Sequence, residues 1–177
     1  MNIIVGEDDL TYDSGDHPEV TIIVYSRRRD LSTFLAGRFP NLTVLELRCH
    51  EQFDQTNGLC LCHEKVKEIY LHADSSGLQS LRIKASRLER LLAFSLDLKI
   101  LDLSECPSLD RLILNIDSIE NLHSLEYCTE LRIILWTALL RNPLHTERAF
   151  TRFRRMVEKL RFHLPKVGLV KNEDDML

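Results

Sequence analysis

The nine residues Leu98-Lys99-Ile100-Leu101-Asp102-Leu103-Ser104-Glu105-Cys106 decide how this chain is read. Leu101 and Leu103 stand two apart, which in an extended strand puts both side chains on one side and leaves Asp102 on the other. Working outward, the phrase L-x-x-L-x-L returns as Leu42-Thr-Val-Leu45-Glu-Leu47, Leu78-Gln-Ser-Leu81-Arg-Ile83 and Leu109-Asp-Arg-Leu112-Ile-Leu114. Looser copies follow at Leu122-His-Ser-Leu125-Glu-Tyr127 and Leu131-Arg-Ile-Ile134-Leu-Trp136. Ile23, Leu45, Ile69, Leu91, Leu112 and Ile134 are separated by 22, 24, 22, 21 and 22 positions. Leu81, Leu101 and Leu125 fall about halfway between them, at intervals of 20 and 24. A beat of this length predicts a solenoid, in which each coil buries its apolar strand against its neighbours and cannot do so alone.

The stretch from Leu98 to Cys106 also matches L-x-x-L-x-L-x-x-N/C, and residues 41–140 resemble the leucine-rich-repeat family in its irregular form, with a strand on both sides of each coil. The resemblance implies an α/β solenoid with coils of about 22 residues, closed by a C-terminal amphipathic helix. It also implies a recognition module of the kind found in adaptors, host-directed effectors and immune sensors. The chain departs from the family at the ninth position, where Asn ties the turn backbone together: Asn is missing everywhere and Cys106 replaces it once. Two other architectures compete. One is an ordinary α/β domain with evenly spaced strands; the other runs an amphipathic helix through Leu81, Ala85, Leu88 and Leu92.

At 177 residues the chain is long enough for one continuous core, and a single domain over 1–177 is expected. Residues 1–40 read as an N-terminal cap of edge strands, around an acidic loop that carries Glu7, Asp8, Asp9, Asp13, Asp16 and Glu19. Residues 41–140 are the repeats and 141–177 a helix and tail. Thr146 is the expected N-cap, and Pro165 ends the helical run.

If the consensus leucines face inward, the residues between them line up outside. One ladder then displays Glu46, Tyr70, Leu92, Ile113 and Leu135, four of which are apolar; the other displays Arg82, Asp102 and Glu126. The first, joined by Phe94 and edged by Arg90 and Arg111, is the expected partner-binding strip. It is covered either by another protein, by the C-terminal helix, or by a second copy of the chain. That helix has its own apolar stripe, Phe150, Phe153, Val157, Leu160 and Leu164. Its remaining faces carry Arg148, Arg152, Arg154, Arg155, Lys159 and Arg161, a basic surface that suits either a solvated end cap or attachment to anionic membrane or nucleic acid.

Cys49-His50 and Cys60-Leu-Cys62-His63 form the densest cluster of metal-ligating types, and zinc would take four of these five. The spacing argues against it, since C-x-C is less typical than C-x-x-C and neighbours on a strand point apart. No cofactor is therefore expected. The seven histidines are scattered, and no G-x-S-x-G, P-loop or H-E-x-x-H accompanies them, so no enzyme activity is expected. A net charge of -4 gives no global pull toward nucleic acid. The odd cysteine count and the absence of a basic, apolar leader lead to the expectation of a cytoplasmic protein with reduced thiols.

Overall fold

A computed structural model describes residues 4–6, 19–24, 39–49, 58–73, 77–95, 98–116, 123–137, 143–160 and 167–170. The chain winds as a β-solenoid. Strands β1 (Ile4–Gly6), β2 (Glu19–Val24), β3 (Val44–Cys49), β5 (Glu68–Ala73), β7 (Arg90–Ser95), β9 (Arg111–Ile116), β10 (Ile133–Thr137) and β11 (Gly168–Val170) form one parallel sheet, in that spatial order. Strands β4 (Leu59–Cys62), β6 (Ser80–Lys84) and β8 (Ile100–Glu105) form a second, smaller parallel sheet. Three successive turns therefore give one strand to each sheet: β3 with β4, β5 with β6, β7 with β8.

The alternation of apolar residues sets this arrangement. Leu45, Leu47, Ile69, Leu71, Leu91, Ala93, Leu112 and Leu114 from the large sheet are buried in one cluster with Leu59, Leu61, Leu81, Ile83, Leu101 and Leu103 from the small one. Two inward-facing leucine layers thus close on each other. The registers stack like on like: Leu45 beside Ile69, Ile69 beside Leu91, Leu91 beside Leu112, and Leu112 beside Ile134. Backbone bonds at the strand entrances repeat the same beat. The Thr43 carbonyl accepts from Lys67 and Glu68, that of Lys67 from Glu89 and Arg90, that of Glu89 from Asp110 and Arg111, and that of Asp110 from Arg132 and Ile133.

The registers revise several expectations. Ile23 does not join the column; Val20 lies beside Leu45, and Ile23 falls against Arg48. Equal sequence spacing carried no information there, because a strand of continuous apolar residues matches several registers equally well. Leu125 is buried, but it lies in a 3₁₀ helix, His123–Tyr127, rather than in a fourth strand of the small sheet. Residues 81–92, a possible helix by spacing, are instead strand β6, a corner, and the start of β7.

After β10 the chain forms helix α1 (Pro143–Leu160) and returns to β11, which pairs with β10 in parallel. Pro143 opens the helix, so Thr146 lies inside its first turn instead of capping it; a first-turn proline loses no helical bond, because its missing N–H would have had no partner. Phe153 and Val157 join the core cluster, with Phe150 and Met156 packed against it. The described part of the apolar stripe of α1, Phe150, Phe153 and Val157, therefore packs onto the interior cluster. Leu164, Arg161, the acidic residues 7–16 and His50 lie outside the described residues. Among the described residues no helix is long and apolar enough to cross a membrane.

Candidate functional site

The outer face of the large sheet is an array of three rows, each made by register pairing. The middle row runs Glu46, Tyr70, Leu92, Ile113, Leu135. On one side lie Val44, Glu68, Arg90, Arg111 and Ile133, and on the other Arg48, His72, Phe94 and Asn115. The strands place every residue of the expected strip on this one face, since residues two apart share a side. Tyr70, Leu92, Phe94 and Ile113 are each half-buried, whereas Leu135 is only 1% exposed. The accessible apolar patch thus centres on Leu92 and Ile113, and Leu135 sits under cover at its end.

The polar groups around the patch hold it in shape. The Tyr70 hydroxyl donates to Glu68 Oε2 at 2.6 Å, and this acceptor pushes the phenol above its usual range, with burial adding to the effect. The His72 ring stacks on Phe94 with centroids 5.1 Å apart and planes within 4°. Arg48 is paired to Glu46 at 2.6 Å. Arg90 approaches Glu68 at 3.5 Å and Arg111 approaches Asp110 at 3.6 Å. Among the described residues, Asn115 Oδ1 is buried with no hydrogen-bond partner.

The small sheet presents a different outer surface. Arg82 meets Asp102 across the strands at 2.7 Å, and Lys84 meets Glu105. Bonds from the Ser104 side chain and backbone hold the Asp102 carboxyl below its usual range. An open depression here is lined by residues that include Cys60, Arg82, Asp102, Ser124, Ile100 and Tyr127; the last two are 45% and 55% exposed. Its charges are largely neutralised across the ladder.

The described members of the cysteine and histidine cluster, Cys60, Cys62 and His63, are not gathered at one point. Cys60 and Cys62 face outward on β4 while His63 turns inward at the following corner. The His63 ring bonds through Nε2 to the Phe39 carbonyl at 3.0 Å, and its Nδ1 accepts from the Lys65 N–H at 3.3 Å. Burial lowers the His63 pKa, partly opposed by the Phe39 carbonyl. Cys49 ends β3, and its side chain lies outside the described residues.

This corner was missed by sequence reasoning. Phe39, His63, Ala85, Cys106 and Cys128 each stand five residues before a strand of the large sheet, and all five are buried in one column. The carbonyls of Phe39, Ala85, Cys106 and Cys128 accept from the N–H three residues on, which makes the turn. Cys106 Sγ donates to the Ile83 carbonyl at 3.3 Å and Cys128 Sγ to the Leu103 carbonyl at 3.5 Å, each tying one coil to the coil before. Burial pushes these thiols up to about 11 and about 12 respectively. The available signal was the constant step from this corner to the next strand, hidden because four different residue types fill the position.

On α1, Arg152, Arg154, Arg155 and Lys159 are exposed, with Arg154 held by Glu158 at 2.9 Å. The Arg148 side chain is outside the described residues.

No family model matches the chain, and comparison with curated proteins and with solved structures found no match either.

Proposed function

We propose that the chain is a non-catalytic recognition module, akin to an irregular leucine-rich repeat with coils of about 22 residues, that holds a partner protein on the outer face of its large sheet. The observation that carries this reading is the register: Tyr70, Leu92 and Ile113 stand side by side on consecutive strands, with Phe94 adjoining. Half-buried aliphatic and aromatic groups in a fixed array supply desolvation at little entropic cost, because the ladder already holds them. Arg90 and Arg111 edge the array and orient what docks on it. The thiols of Cys60, Cys62, Cys106 and Cys128, with no disulfide among the described residues, fit a cytoplasmic setting. The test is affinity capture from an extract of the native cell with wild-type protein and the double substitution L92D/I113D as bait. The reading expects capture to be lost while circular dichroism and the melting temperature stay near wild type. Equal capture by both proteins would overturn it.

A second reading rests on the exposed Arg152, Arg155 and Lys159, which follow steps of three and four along one side of α1. Such a stripe suits an anionic membrane or a polynucleotide. It expects low-salt retention on phosphatidylserine vesicles or on polynucleotide, a steep fall with added salt, and loss in R152E/R155E. Absence of retention at low salt removes it.

A further inference from the structure

Arg90 and Arg111 are register partners on adjacent strands, on the same face, with side chains 38% and 50% exposed. Like charges placed directly opposite each other across a ladder destabilise it unless something compensates them. Internal compensation is weak: their carboxylate contacts, at 3.5 and 3.6 Å, are the longest guanidinium pairs among the described residues, against 2.6 to 2.9 Å for Arg48, Arg82, Arg132 and Arg154. Both carboxylates are also engaged elsewhere. Glu68 accepts from the Tyr70 hydroxyl at 2.6 Å, and Asp110 accepts from Arg132 at 2.6 Å. Two arginine side chains rooted on strands about 4.8 Å apart therefore reach the outer face, each with only a long carboxylate contact.

The same strands carry what lies next to this pair. One step of two residues along from Arg90 and Arg111, about 7 Å away, are Leu92 and Ile113. One step further are Phe94 and Asn115. The sequence of chemistries across the face is thus paired cations, aliphatic, then aromatic. A nucleic-acid backbone or an isolated anion would satisfy the first and leave the other two unmet.

We propose that the partner docks through an acidic, apolar peptide segment, its Asp or Glu carboxylate bridging Arg90 and Arg111 and an aliphatic side chain about 7 Å away covering Leu92 and Ile113. This rests on the reading of the large-sheet face as a docking surface and gives that face its specificity. Arginine pairs recognise a carboxylate by parallel N–H···O bonds, which fix its place on the face as well as adding attraction.

The experiment is selection of displayed random dodecapeptides on the immobilised full-length chain, followed by affinity measurement of synthetic peptides from the enriched set. The expected enrichment is Asp or Glu spaced from Leu, Ile or Phe. Binding should fall at least tenfold for R90Q/R111Q, and a peptide with Lys in place of its acid should recover on R90E/R111E. If selected peptides lose binding to L92D/I113D but show no acidic preference and bind R90Q/R111Q normally, the docking face stands and the carboxylate is refuted. If no peptide is selected whose binding depends on either pair, both readings fall. Circular dichroism of each variant distinguishes lost binding from lost fold.

Discussion

At the scale of single residues, the corner column shows how unlike side chains perform one task. His63, Cys106 and Cys128 all reach back to a carbonyl of the preceding coil, while Ala85 fills the same place by packing alone. His63 does so as a neutral imidazole, since its Nδ1 must stay an acceptor for the Lys65 N–H. Its folded pKa lies below 6.5, so above that value neither state binds the proton and stability is unaffected. As pH falls below 6.5 the unfolded chain takes up a proton that the folded chain refuses, and stability drops by up to about 1.4 kcal/mol per pH unit until the folded value is reached. H63Q keeps an N–H for the Phe39 carbonyl and removes the titration. Its urea midpoint should change less than that of wild type between pH 7.5 and 5.5; parallel curves for the two proteins would refute a neutral buried His63.

At the scale of elements, the end of the small sheet is closed by a 3₁₀ helix in place of a strand. Ser124 makes this possible: its hydroxyl accepts from the Leu103 N–H at 2.9 Å and donates to the Leu101 carbonyl at 3.0 Å. One side chain thereby replaces part of a ladder at the edge of β8, which would otherwise present bare backbone groups. S124A leaves both without that partner and should cost about 1–3 kcal/mol, with S124T recovering most of it. Equal urea midpoints for S124A and wild type would show that the edge is satisfied by water instead. Beside it, α1 closes the interior with Phe153 and Val157 and touches the 3₁₀ helix. The apolar stripe that marks this helix was legible as a period of three and four; the surface it packs on was not, because periodicity describes one partner of a contact.

At the scale of the whole molecule, each coil is bonded only to the coils before and after it, so protection should fall from the middle outward. Hydrogen exchange is expected to be slowest in β5 and β7, flanked by strands on both sides, and fastest in β1 and β11 at the sheet edges. Uniform exchange across all strands would mean that the solenoid opens only as one unit. The alternation of leucines, the repeating phrase and the columns through Leu45, Ile69, Leu91, Leu112 and Ile134 were all readable beforehand. So was the row through Tyr70, Leu92 and Ile113. These follow from a period of two and from the need to bury every second side chain, both properties of local sequence. Only the tertiary structure decided that Val20 rather than Ile23 meets Leu45, that Leu125 belongs to a 3₁₀ turn, and that Arg90 and Arg111 stand opposite each other with their carboxylates already engaged. Each of these depends on what the neighbouring coil offers across the gap, and a chain read one position at a time carries no record of its neighbour in space.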